Sequence, residues 1–343
     1  MENVLVTGGA GFIGSHVAEY LLNAGYNVVV LDDLSGGFEE NVECLSATEK
    51  DSGKKRGATF VQGSILNYEL VNALFAQYRF TYVYHLAAYA AEGLSHFIKR
   101  FNYQNNLTGS VNLIDAAVNY DAKCFVFTSS MAVYGSGQVP MSEDMLPAPE
   151  DSYGIAKAAV EQELKVSHDL FGLDYVIFRP HNVIGPRQNI GDRYRNVVGI
   201  FMNQLLKGEP MSVFGDGEQQ RAFSFIDDIV SQIATAPTVS GAIGEVFNIG
   251  GDTPCTINEL AALVAEAMGC ENRVKHLEAR HEVKLAFCSH DKVKKVFGDR
   301  PVTSLRDGIR MMAEWAKKHG ARESKAFQGI EISKKLPPFW RRA

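Results

Sequence analysis

A short apolar run that empties into a glycine-rich turn constrains this chain most. Val4-Leu5-Val6 reads as a buried strand and leads straight into Thr7-Gly8-Gly9-Ala10-Gly11-Phe12-Ile13-Gly14. The spacing of Gly8, Gly11 and Gly14 is GxxGxxG. Glycines there permit a tight turn and let the backbone approach a pyrophosphate at the N-terminus of the next helix. The context strengthens the motif. A helical pattern over residues 14–23 follows, and the next strand, Val28-Val29-Val30-Leu31, ends in Asp32. A carboxylate there accepts hydrogen bonds from an adenosine ribose and repels a 2′-phosphate, so NAD is expected rather than NADP. Asp33 is adjacent and can contribute.

Further strands are expected at Thr59-Phe60-Val61, Tyr82–Leu86, Cys124–Phe127 and Tyr175–Phe178, with helical patterns between them. The polar stretch 39–57 reads as a helix and an exposed loop. Strands spaced by helices imply an α/β fold with a doubly wound parallel sheet, a Rossmann arrangement. After Arg179 the texture changes to loops rich in Gly, Pro, Arg and Asn. Residues 1–178 are therefore expected to form an NAD-binding Rossmann domain. Residues 179–343 are expected to form a smaller C-terminal substrate-binding α/β domain, with some strands returning to the first sheet. The basic tail, ending near Pro337-Pro338-Phe339-Trp340, reads as a strap packed on the surface.

The net charge of −6 argues against a dedicated nucleic-acid binder. No apolar run approaches the roughly 20 residues that span a bilayer, so no membrane association is expected. The five cysteines show no CxxC, and the nine histidines show no HExxH. We expect reduced thiols, no metal site and a cytoplasmic protein.

Tyr153 stands four residues before Lys157, so the two share a helix face. A free tyrosine titrates near ~10. An ammonium beside it favours the phenolate, which makes the pair a candidate general base with its activator. Such pairs also arise on ordinary helix surfaces, and the pair alone leaves both readings open.

With these residues in hand, the chain resembles the extended short-chain dehydrogenases/reductases, and among them the NAD-dependent nucleotide-sugar epimerase/dehydratase family. The matching stretches are TGGAGFIGSH at the start, HLAAYA at 85–90, NNLTG at 105–109, FTSSMAVYG at 127–135, YGIAK at 153–157, RPHNVIGPR at 179–187 and VFGDGEQQRAFSFIDD at 213–228. The resemblance implies a catalytic trio of Ser130, Tyr153 and Lys157. Ser130 would bond the sugar oxygen being oxidised and Tyr153 would act as base. Lys157 would hold the nicotinamide ribose and lower the tyrosine's pKa. It further implies NAD contacts from Gly8, Gly11, Phe12, Ile13, Gly14, Asp32, Ser64, Ile65, Leu86, Ala87, Ala88 and Asn105, besides Tyr153 and Lys157. Ser64 stands where an acid commonly meets adenine. Nucleotide-sugar contacts are implied for Glu92, Ser130, Asn182, Asn196, Val197, Val213, Phe214, Arg221, Arg280 and Glu282. Ala286 falls where bulky residues can restrict the sugar pocket. A homodimer through the helices near 101–119 and Tyr153 is also implied.

The residues after Ser130 narrow the reaction. Met131 and Ala132 stand where dehydratases and decarboxylases of this family carry carboxylates, and where its 3,5-epimerases carry a cysteine. Inversion at C4 of a UDP-hexose through a 4-keto sugar is therefore expected. The alternative is a 4-keto nucleotide-sugar reductase with the same trio.

Overall fold

Alternate residues of the central strands feed two different apolar layers. Leu5, Val29, Val83, Phe125 and Ile177 belong to one buried cluster, whereas Val4, Val28, Tyr84, Val126 and Phe178 belong to another. A strand sends successive side chains to opposite faces. A sheet whose strands are apolar at both parities is therefore covered on both faces, as parallel sheets are.

The computed structural model describes residues 1–48, 55–279, 284–324 and 326–341. Its central sheet is built from β1 (Asn3–Thr7), β2 (Asn27–Asp32), β3 (Thr59–Gln62), β4 (Tyr82–His85), β5 (Cys124–Thr128), β6 (Asp174–Pro180) and β7 (Glu245–Ile249). The order is β7-β6-β5-β4-β1-β2-β3, and every neighbouring pair is parallel. The principal flanking helices are α1 (Phe12–Asn23), α2 (Gly109–Asn119) and α3 (Ser152–Phe171). The strand order reverses beside β1. The crevice beyond the C-terminal ends of β1 and β4 is where such sheets bind ligands.

After Pro180 short paired strands and helices build a layer over that crevice, and β7 returns to the sheet edge beside β6. The stretch 39–57 departs from the expected helix and loop. It holds a short helix, Glu40–Glu43, and an antiparallel pair, Ser46–Thr48 with Lys55–Gly57. Among the described residues, no helix is long and apolar enough to cross a membrane.

Candidate active site

Local backbone demands explain the glycine turn. Gly8 sits at φ +69°, in the left-handed region, and a Cβ there would meet the Ala87 amide nitrogen at 2.7 Å. A Cβ on Gly14 would lie 2.1 Å from the Gly8 carbonyl oxygen. Only glycine lets β1, α1 and the residues after β4 approach this closely. α1 begins at Gly11 without a side-chain cap and without an acidic residue in its first turn. A helix start without its own carboxylate suits an anion.

Asp32 closes the far side of this cradle. Its carboxylate accepts hydrogen bonds from the Ala10 amide (3.0 Å) and the Leu34 amide (2.8 Å), which fix its orientation. Burial raises its pKa, with those two bonds opposing. Beneath the turn, Thr7 Oγ1 meets His85 Nδ1 at 2.8 Å, and His85 Nε2 meets Ser110 Oγ at 2.8 Å. Burial and the nearby Lys157 charge hold His85 well below its ordinary pKa. This buried relay ties β1, β4 and α2 together under Leu86–Ala88.

The expected trio comes from two elements. Ser130 follows β5, and its Oγ accepts a hydrogen bond from the Ala132 amide at 3.1 Å. Tyr153 and Lys157 lie on the first turns of α3, whose start is fixed by Asp151. The Asp151 carboxylate accepts from the Tyr153 and Gly154 amides, both at 2.9 Å. The Ser130 hydroxyl favours the ionised form of the Tyr153 phenol. Lys157 Nζ donates to the Thr128 carbonyl at 2.7 Å and lies 5.8 Å from the Tyr153 ring centre.

Burial dominates the electrostatics of the pair. Burial pushes the Tyr153 phenol above its ordinary value, and the charges of Asp151 and Glu92 push the same way. Ser130 and Arg195 oppose them. The Lys157 ammonium donates to the Thr128 carbonyl. Burial pulls Lys157 itself down to about 7, against the attraction of Glu161.

The glycine turn, Asp32 and the trio line one cavity of about 1500 Å³. Its lining includes the glycine turn, Asp32, Asp33, Ser64, Ile65, Asn105, Asn182, Asn196, Val197, Val213, Phe214 and Arg221, together with Glu92, Ser130, Tyr153 and Lys157. Asn182 and Asn196 both adopt positive φ, at 41° and 60°, a strained conformation common at ligand sites.

The sequence model of the NAD dependent epimerase/dehydratase family matches residues 4–250. This chain belongs to that family. It is 33% identical over 314 residues to UDP-glucose 4-epimerase of Mycolicibacterium smegmatis, covering 91% of this chain and 97% of that one. The crystal structure of Thermotoga maritima UDP-glucose 4-epimerase with UDP-glucose superposes with a TM-score of 0.83 at 35% identity, covering 92% and 99%. UDP-glucuronic acid 4-epimerase from Bacillus cereus, in complex with UDP-glucuronic acid and NAD, gives 0.82 at 30% identity, covering 92% and 99%.

NAD is the cofactor of this epimerase/dehydratase, and the cradle fits it. A Cβ on Gly8, Gly14 or Gly37 would strike backbone at 2.9 Å or less, so these glycines let the backbone segments beside the first turn of α1 pack closely. Gly8, Gly11, Gly14, Gly37 and Asp32 all line the cavity.

Two expectations concern parts of the chain placed otherwise. Arg280 and Glu282 lie outside the described residues. Ala286 does not line the cavity. Its side chain is buried with Val133, Tyr134, Met141 and Cys288, so it does not set the space for the sugar. Residue reading also missed Arg195. Its guanidinium stands 4.7 Å from the Tyr89 ring centre, pairs with Asp192 at 2.6 Å, and lowers the Tyr153 pKa across the cavity. Nothing local in the sequence distinguishes it from the other arginines of the 179–195 loop.

The buried lysine has a measurable cost. An unfolded lysine holds its proton to about pH 10.4, whereas folded Lys157 releases it near 7. Between those values the unfolded state binds the extra proton, so stability rises with pH from this group. Below about 7 both states are protonated and the full penalty is present. Lys157→Met removes that slope. Between pH 7 and 9.5 the wild type is expected to gain roughly 3 kcal/mol that the variant does not. Urea unfolding of the cofactor-stripped proteins at the two pH values measures the difference. Equal slopes would mean that Lys157 is not desolvated.

Proposed function

We propose that this enzyme inverts C4 of a UDP-hexose through a 4-keto sugar. The observation that carries the reading is that Ser130, Tyr153 and Lys157 line one cavity together with the glycine turn, Asp32, Phe214 and Arg221. The relatives' names, which couple NAD with UDP-sugars, support the same ligands.

Tyr153 takes the proton of the sugar 4-hydroxyl and later returns it, while Ser130 hydrogen-bonds that oxygen and holds it against the phenol. Bound NAD supplies hydride acceptance and return at its nicotinamide ring, whose positive charge also favours the phenolate. Lys157, fixed on Thr128, presents its remaining donors toward the nicotinamide ribose. Asn182 and Arg221 hold the diphosphate, and Val213 with Phe214 flanks the base. Asn196 and Val197, at the start of a helix (Val197–Leu206), line the cavity, where a helix N-terminus favours phosphate charge. Met131 and Ala132 bring no carboxylate beside Ser130, so the 4-keto sugar has no partner there for eliminating water.

Ile155, Val166, Leu170 and Phe171 leave apolar surface exposed along α3. This surface supports a homodimer through α3 and the neighbouring helical stretch 99–119.

Incubation with UDP-glucose or UDP-galactose, followed by proton NMR, is expected to show the C4 epimer without added or consumed NADH. Absence of interconversion for every UDP-hexose pair would overturn the reading. Stoichiometric NADH consumption would favour the reductase.

A further inference from the structure

The C-terminal strap is held by specific contacts along its length. Arg322 stands over the Phe38 ring at 3.9 Å and pairs with Glu40, the first residue of the short helix that follows. The Phe327 amide donates to Tyr194 Oη at 3.0 Å, and its ring lies 4.9 Å from that of Phe101. The Glu331 carboxylate accepts from the Arg100 and Phe101 amides at 2.8 and 2.9 Å, at the start of the helical stretch 99–119. Leu336 and Trp340 are 5% and 4% exposed, in a cluster with Ala91, Leu94 and Ile98. These anchors come from both halves of the chain.

So anchored, residues 335–341 do not lie outside the site. They form part of the wall of the same cavity that holds Tyr153 and Arg221. Phe339 is its inward feature. Arg193 Nη2 donates to the Phe339 carbonyl at 2.8 Å, and the Arg193 guanidinium stands 5.2 Å from its ring. That ring meets Phe214 edge-to-face, with centroids 6.1 Å apart. Phe339 nevertheless stays half-buried, unlike Trp340 beside it. A rigidly held aromatic that leaves its face to a cavity is a surface for stacking. Lys335 and Arg341 bring cationic side chains to the same wall, and Lys335 does so from φ +61°, a strained conformation for a lysine. The chain as a whole is acidic, so this basic, aromatic wall runs against its average charge.

We propose that residues 335–341 form a wall of the nucleotide-sugar site. Phe339 packs on the nucleobase beside Phe214, and Lys335 and Arg341 offer positive charge to the diphosphate. The proposal rests on the nucleotide-sugar reading above and extends it to a segment that sequence reading left as surface cover.

Calorimetric titration of the holoenzyme with UDP tests it. Phe339→Ala is expected to weaken UDP binding roughly tenfold or more, with NAD content and melting temperature kept. KM for the nucleotide sugar should rise by the same factor while kcat stays within about twofold, the pattern of lost uniform binding. Phe339→Tyr, which keeps the ring, should restore affinity. Wild-type UDP affinity in Phe339→Ala would overturn the proposal and leave the reaction assignment standing. A wild-type enzyme that binds no UDP would overturn it through the ligand reading instead.

Discussion

Replacing Tyr153 by phenylalanine lowers kcat by about a hundred- to ten-thousandfold, the range that a positioned acid–base group supplies. The ring stays packed, because Tyr153 is 7% exposed and its amide remains bonded to Asp151. Bound NAD and UDP affinity should therefore be unchanged. The loss is confined to proton transfer. Ser130 loses its phenolic partner, and its own hydroxyl is far too weak an acid to serve as base near neutral pH. Lys157 cannot substitute, since its Nζ is committed to the Thr128 carbonyl. Single-turnover absorbance of reduced cofactor, together with steady-state NMR rates, measures the effect. A variant that retained more than about a tenth of wild-type kcat would remove Tyr153 from the chemistry.

The parts of this picture legible in the sequence are those set by short-range rules. Parallel strands buried on both faces must be continuous apolar runs, so β1, β2, β4, β5 and β6 stood out as Val, Leu, Phe and Tyr clusters. The glycine cradle was legible because Gly8 and Gly14 answer a steric demand that no other residue meets. The i, i+4 spacing of Tyr153 and Lys157 put them on one helix face before any coordinates existed.

The parts that escaped depend on tertiary distance. The direction of the Tyr153 shift depends on burial and on where a flexible lysine ends, and spacing reports neither. The loop at 39–57 has no period to read, so its antiparallel pair was missed. Ala286 was assigned by position in a pattern, but its side chain faces the cluster under Met131–Tyr134. The strap has no amphipathic repeat. Its partners Phe97, Tyr194 and Phe214 lie more than a hundred residues away in sequence. Only its aromatic content hinted that it covers something.

A buried ion pair under the catalytic helix gives the largest expected loss of stability. Glu161 and Arg179 are 1% and 2% exposed. Arg179 Nε donates to Glu161 Oε1 at 2.9 Å and Nη2 to Oε2 at 2.5 Å, a bidentate pair. Ser129 Oγ donates to the same carboxylate, and the guanidinium rests 4.6 Å from the Tyr134 ring centre. Glu161→Ala strands the Arg179 charge, which cannot be shed by deprotonation. A loss of about 3–5 kcal/mol is expected, because one buried partner is left without its counter-charge. It should appear as a lower urea midpoint with an unchanged slope. Glu161 also sits one turn beyond Lys157 and is the group that resists its desolvation, so the lysine's pKa falls further in the variant. Removing both charges separates pairing from packing. Glu161→Met with Arg179→Met should recover much of the loss, since two apolar side chains need no partner. A double variant as unstable as the single one would show that the volume of these side chains, and not their charge, holds β6 against α3.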